Sequence, residues 1–403
     1  MTPAENYHWQ FMARFRRHAF GWRSQPAILR VKEAVSEIKR VARRDPAMAA
    51  DGAVSFFERL SPALEHVDSS SGGIGTAVAN AVRELVPVIA TAPADPKVRD
   101  AWLERLWVAH EADEVPYIEG LADYWGELCG SKETAADWAE RLVGITRMAL
   151  SPDPSLHGHF HGTTACLSAL YRAERYQEII DILDVHTIWP HKRWAVKALV
   201  AMGKKGEALR YAEACRGPSV PEEEVNTFCE SILLSSGLLE EAYQRYGLRA
   251  ARAGTHLATF RAIAKKYPHK PADELLADLA AATPGEEGKW FAAAKDAGLY
   301  GDALALASLS PCDPKVLTRA ARDFAESQTS FAIGAGVLAI TWLVRGYGYE
   351  VTSADVWAAY TNTMKAAEVA GERSETQERV KQLVASEVPG GFVNRVLGGQ
   401  LGL

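Results

Sequence analysis

One short pattern recurs in the middle of this chain and restricts its fold more than any other feature. Ala173-Glu-Arg-Tyr-Gln-Glu-Ile-Ile, Gly203-Lys-Lys-Gly-Glu-Ala-Leu, Gly237-Leu-Leu-Glu-Glu-Ala-Tyr and Gly298-Leu-Tyr-Gly-Asp-Ala-Leu align on one pattern. Each has a small residue, a bulky or basic pair, an acid, and then Ala or Ile before an apolar side chain. The starts lie 30, 34 and 61 residues apart, the last close to twice the first. That period belongs to a helix-turn-helix repeat. A glycine ends the first helix where a left-handed residue is needed. The acid sits at the start of the second helix, where the helix dipole favours negative charge. The alanine lets the two helices approach closely.

This turn resembles the A/B helix turn of tetratricopeptide repeats, in degenerate form, over about residues 160–330. The early Trp and late Pro of that repeat do not occur together in any unit. The resemblance implies an all-α chain, an α-solenoid of stacked helical hairpins preceded by an N-terminal helical domain. The expected division is a helical domain over 1–155 with a basic leader over 1–44, repeats over 156–330, capping helices over 331–388, and a flexible glycine-rich tail over 389–403.

Outside the repeat, helix signals dominate and strand signals are scarce. Pro26 opens a helix whose apolar positions Ile28, Val31, Val35, Ile38 and Val41 share one face. It stops near Asp45-Pro46. Further helices are expected over about 47–67, with Pro62 kinking or splitting it, and over 74–91, 96–111, 114–129 and 131–150. Thr352 reads as a helix N-cap before Val356, Trp357, Tyr360 and Met364. Phe331 to Val344 is apolar but about 14 residues long, a buried core helix rather than a membrane span. No apolar run of membrane-spanning length is expected, and the N-terminus lacks the pattern of a secretory signal. The five cysteines are scattered and never form a Cys-x-x-Cys pair, which fits reduced thiols in a cytoplasm.

The net charge of −6 conceals an asymmetry. Residues 1–44 hold ten Lys or Arg against three acids, a net of +7, leaving −13 for the remainder. Arg14, Arg16, Arg17, Arg23, Lys39, Arg40, Arg43 and Arg44 are candidate nucleic-acid contacts. Arg14-Phe-Arg-Arg-His-Ala-Phe-Gly-Trp-Arg interleaves cations with aromatics, as single-strand binders do. The competing reading makes Phe11, Phe15, Phe20 and Trp22 core and the arginines a solvated face.

Two local features could carry chemistry. In His157-Gly-His-Phe-His-Gly-Thr-Thr-Ala-Cys166, residues His157, His159, His161 and Cys166 are candidate ligands for zinc or another divalent metal. The plainer reading is a loop whose histidines satisfy backbone groups. Arg105-Leu-Trp-Val-Ala-His110 resembles the Arg-x4-His motif of HEPN ribonucleases, which implies RNA cleavage by Arg105 and His110 at a dimer interface. The plainer reading is an ordinary helix turn. No phosphate loop, dinucleotide fingerprint or nucleophile elbow is present, and the acids are dispersed.

The segments Tyr7-His-Trp-Gln-Phe, Ser69-Ser-Ser-Gly, His159-Phe-His-Gly and Gly346-Tyr-Gly-Tyr-Glu resemble an uncharacterised family of bacterial helical-repeat proteins. More loosely, the chain is similar to helical regions attached to SWIM zinc-finger proteins, without the finger. The leading expectation is a non-enzymatic scaffold that binds a protein partner in a concave groove. Its lining is expected to include Tyr171, Arg172, Lys192, Arg193, Trp194 and Lys197. At least one of Trp189 and Trp194 is expected at the surface, because five residues do not return to one helix face. A nucleic-acid-binding or RNA-cleaving protein is the alternative, and a metal-dependent enzyme at the histidine segment the third. No membrane partner is expected.

Overall fold

The computed structural model describes residues 7–153, 155, 158–185, 187–250, 253–388 and 390–403. Among these the regular structure is entirely helical. Contacts divide the chain into two compact units, Met1–Val220 and Pro221–Leu403.

The first unit begins with a short helix α1 (Gln10–Arg14), followed by α2 (Ser24–Ala42), α3 (Pro46–Leu64), α4 (Gly73–Thr91) and α5 (Pro96–Glu111). Local chemistry sets their starts. The Asp45 carboxylate accepts the Met48 N–H at 2.9 Å, and Asp95 accepts that of Val98 at 3.0 Å, each with proline in the first turn. Helix α3 runs unbroken through Pro62 and ends at Leu64, and α4 runs through Pro87. Val31, Ala34, Ile38 and Val41 of α2 pack into a core with Phe56, Phe57 and Leu60 of α3 and Val78, Leu85 and Ile89 of α4. Helix α4 does reach the length and hydropathy of a membrane span (19 residues, mean hydropathy 1.2). Its apolar face is buried in that core.

The helix expected over 114–129 does not form as one piece. The Asp113 carboxylate accepts the backbone N–H groups of Tyr117 and Ile118, which competes with helical hydrogen bonding, and Pro116 has no N–H to give. A 3₁₀ turn over Glu119–Tyr124 then leads into α6 (Trp125–Leu128), followed by α7 (Lys132–Ala149).

Two helical hairpins complete this unit: α8 (Thr163–Arg172) with α9 (Tyr176–Leu183), and α10 (Trp189–Ala201) with α11 (Lys205–Ala214). Their turns follow the recurrent sequence pattern. Gly203 is left-handed at φ 78°, and the Lys204 N–H reaches back to the Leu199 carbonyl at 2.9 Å. The first hairpin uses Glu174 (φ 59°) in that role, with Arg175 N–H to Leu170 O at 3.0 Å. The turn residue is therefore Glu174, one position later than the small Ala173.

The second unit holds α12 (Glu222–Leu234), α13 (Leu239–Ala242) continuing through a π-helical turn (Tyr243–Gly247) into α14 (Leu248–Ala250), then α15 (His256–Lys266) and α16 (Ala272–Ala281). Helices α17 (Phe291–Asp296), α18 (Tyr300–Leu309), α19 (Pro314–Asp323), α20 (Thr329–Val344), α21 (Ser353–Ala370), α22 (Arg373–Ala385) and α23 (Phe392–Leu401) follow. Gly237 and Gly298 repeat the left-handed closure at φ 76° each. Thr352 caps α21 with a reciprocal bond to Asp355. Helix α20 is buried on several sides, between α19 and α21.

The glycine-rich C-terminal segment, expected to be flexible, instead forms α23. Val393, Leu397 and Leu401 recur four residues apart and are buried against α21 and α22. The Glu387 carboxylate accepts the N–H groups of Val393 and Asn394 at the helix start, at 3.2 and 2.6 Å. Apolar periodicity and an outside cap here outweigh the helix-weakening effect of Gly398 and Gly399.

Candidate functional site

A groove of about 440 Å³ opens in the first unit where α6, α8 and α10 meet. Its geometry starts from a glycine. A Cβ on Gly126 would lie 2.3 Å from the Ser168 carbonyl oxygen, so α6 and α8 press backbone to backbone. The Gly126 N–H donates to Ser168 Oγ at 3.0 Å, and that hydroxyl donates to the Asp123 carbonyl at 3.0 Å. This junction fixes Asp123 and Glu127 on one wall.

Five of the six residues expected at a partner-binding surface converge here: Tyr171, Arg172, Arg193, Trp194 and Lys197. The Tyr171 ring stands 5.7 Å from Trp194 and 5.4 Å from Tyr176. Lys197 places its ammonium over the Trp194 ring, 3.9 Å from the centroid. Burial holds the Lys197 pKa below the ordinary lysine value, and the neighbouring Arg193 lowers it further. Arg193 hydrogen-bonds Asp123 across the groove, and Arg172 donates to the Gly130 carbonyl at 3.2 Å. Lys197 has neither a hydrogen bond nor an ion pair among the described residues.

Lys192 lies outside the groove, on the side of α10 near Cys215. Trp189 and Trp194 are both buried, each 2% exposed, contrary to the expectation from their spacing. Helices α8, α9 and α11 all pack against α10, so a separation of five leaves neither in solvent. Asp123, Glu127 and Ser168 escape sequence reasoning. They fall in segments whose sequence suggests only helix, and no local spacing announces that they meet α10.

Among the described residues, His159 and His161 form no metal-holding group with Cys166. His157 lies outside the described residues. His159 and His161 are exposed, their rings edge to face at 4.5 Å. Cys166 is one turn inside α8 and buried beside Thr146 of α7, its thiol pushed up to about 11 by burial. Among the described residues no group of three or more His, Cys, Asp or Glu side chains is placed to hold a metal.

Arg105 and His110 are not brought together either. Five helical residues separate their directions by roughly 140°. Arg105 forks onto Glu58 at 2.6 and 2.9 Å and reaches Asp51 at 2.7 Å and Ser55 at 2.8 Å, all on α3. Its carboxylate partners hold its pKa above the usual value. His110 is 3% exposed, with Nε2 at 3.3 Å from the His161 carbonyl oxygen and Nδ1 lacking a partner among the described residues. Burial lowers its pKa.

The basic leader splits between two roles. Phe11 and Phe15 are core, and Phe20 is half-buried against it, whereas Trp22 is 72% exposed. Arg14 pairs with Glu33 at 2.7 Å, Lys39 with Glu84 at 2.6 Å and Arg17 with Glu65 at 3.9 Å. Arg40 approaches the Tyr7 hydroxyl at 3.4 Å. Arg16, Arg23, Arg43 and Arg44 are exposed and have no side-chain partner among the described residues. No family model matches the chain, and no curated protein or solved structure matches it.

Proposed function

We propose that this chain is a non-enzymatic binding scaffold that takes a protein partner through the groove of α6, α8 and α10. One observation carries the reading: the Lys197 ammonium is half-buried over Trp194 with no hydrogen bond or close ion pair among the described residues, and the charges of Asp123 and Glu127 act on it only from a distance. A cation partly removed from water gains from a carboxylate or a carbonyl brought to it. The half-buried Tyr171 and Tyr176 rings, backed by the buried Trp194, supply the rigid apolar contact that protein interfaces favour. The shared left-handed closure of the hairpins supports the further reading that each is a degenerate tetratricopeptide-like unit of a solenoid, whose grooves suit extended peptides or helices.

The test is affinity purification from the native cell, with and without nuclease, using wild type and the Tyr171→Ala/Lys197→Glu variant. A nuclease-resistant partner held by wild type and lost by the variant is expected. The same set of proteins recovered with both would overturn the groove as the binding site.

A further inference from the structure

We infer that the outer face of α2, with Trp22 at its head, is a docking surface for single-stranded nucleic acid. The argument begins with where the acids of this helix go. Glu37 is 7% exposed and accepts the N–H groups of Gln10 and Phe11, at 2.9 and 3.2 Å, at the start of α1. Glu33 is held between Arg14 and Arg30 at 2.7 and 2.6 Å. Both carboxylates are thus engaged on the side of α2 that meets α1. The exposed residues of α2 include Leu29, Lys32, Ser36, Lys39 and Arg40, with Arg43 just past its end; Glu33 stands in the same row beside Arg40, but Arg14 and Arg30 already take its charge.

Neighbouring elements neutralise only part of this stripe. Glu84 of α4 answers Lys39. Asp45 accepts at the α3 N-terminus, Glu65 takes Arg17 and His18, and Asp68 accepts the Ser70 N–H. Lys32, Arg43 and Arg44 remain exposed without a side-chain partner among the described residues. The helix and its C-terminal end spread these cations over about 18 Å. Such a row matches a polyanion better than a single charged group.

Trp22 selects among polyanions. Its ring is 72% exposed, yet its backbone is fixed, since its carbonyl accepts the Asp68 N–H at 2.9 Å. A positioned, solvent-facing indole beside Arg23 is a stacking platform, and unpaired bases present faces that a duplex hides. An anionic membrane fits less well. A helix that lies in a bilayer surface inserts its apolar face, but Val31, Val35 and Ile38 of α2 are buried in the protein core.

The experiment uses the full chain and a fluorescein-labelled 20-nucleotide oligothymidine, read by anisotropy from 50 to 300 mM salt. Binding at 50 mM salt is expected. Trp22→Ala should weaken it about ten-fold, and Trp22→Phe should restore most of the loss. Lys32→Glu/Arg43→Glu should flatten the salt dependence by roughly 0.7 in log–log slope for each phosphate that the protein ceases to neutralise. Trp22, Lys32 and Arg43 are all exposed, so thermal melting of the variants should match wild type. The inference is overturned by no binding at 50 mM salt, by equal affinity for a 20-base-pair duplex, by an unchanged Trp22→Ala variant, or by binding only to phosphatidylserine-containing vesicles.

Discussion

At the scale of single residues, Arg99 shows how a charge can be buried without a carboxylate. It is 7% exposed, and its guanidinium donates to the carbonyls of Ile89 at 2.5 Å and Ala92 at 2.7 Å, with Ala90 and Leu128 at 3.4 and 3.5 Å. Those from Ile89 to Ala92 lie at the C-terminus of α4, where carbonyls run out of helical partners (Ile89 keeps only the Ala92 N–H, at 3.3 Å) and the helix dipole favours a cation. Burial lowers the Arg99 pKa, but an arginine stays charged at any ordinary pH. Arg99→Ala removes these bonds together and should cost about 3 kcal/mol in urea unfolding of the first unit. A change below about 0.5 kcal/mol would show that water replaces the guanidinium freely.

His110 gives a pH dependence with a definite sign. Burial depresses its pKa, opposed by the His161 carbonyl and by Asp113 and Glu111, with His161 itself adding to the depression. The folded state therefore binds a proton less readily than the unfolded chain. The stability this contributes is complete above the unfolded histidine value of about 6.5 and is lost as pH falls below it. Urea midpoints measured at pH 7.5 and 5.5 should drop on the acid side. His110→Asn should shrink the drop, and an undiminished drop would assign it to other groups.

At the scale of elements, hairpin closure is the recurring device. Three turns place glycine at the left-handed position, while the first places Glu174 there. A side chain at that φ costs roughly 1 kcal/mol relative to glycine. The exposed Glu174–Lys132 pair, at 2.5 Å, offsets little of it. Glu174→Gly should therefore raise the thermal midpoint by a few degrees in calorimetry. The junction of α6 with α8 is the opposite case. Gly126→Ala would drive a Cβ into the Ser168 backbone, and the strain should cost about 1–3 kcal/mol and open the groove. If that variant melts with wild type, the close approach of α6 and α8 is not needed for stability.

At the scale of the whole molecule, the two compact units meet in the chain at Val220–Pro221. The connecting residues Gly217, Pro218 and Ser219 are exposed. Exposed loops with small and turn-forming residues are the preferred sites of proteolysis. Brief digestion with a protease of broad specificity should cut first near 217–221 and leave two folded fragments. First cleavage inside either unit would mean that the connection is protected.

The sequence by itself determined the helical class, most helix starts and the hairpin turns, because caps, prolines and left-handed glycines act within one or two turns of chain. It also located most of one wall of the candidate groove, since Tyr171, Arg172, Arg193, Trp194 and Lys197 lie in two short segments. It could not show that Asp123 faces Arg193 from 70 residues away, or that Arg105 turns to α3 while His110 turns to the 158–162 loop. Burial of both Trp189 and Trp194, and the helix in the glycine-rich C-terminal segment, depended on which neighbours cover each face. Only tertiary structure decided these, because local hydrogen bonding fixes what a segment becomes, whereas packing between distant segments fixes which side chains share a space.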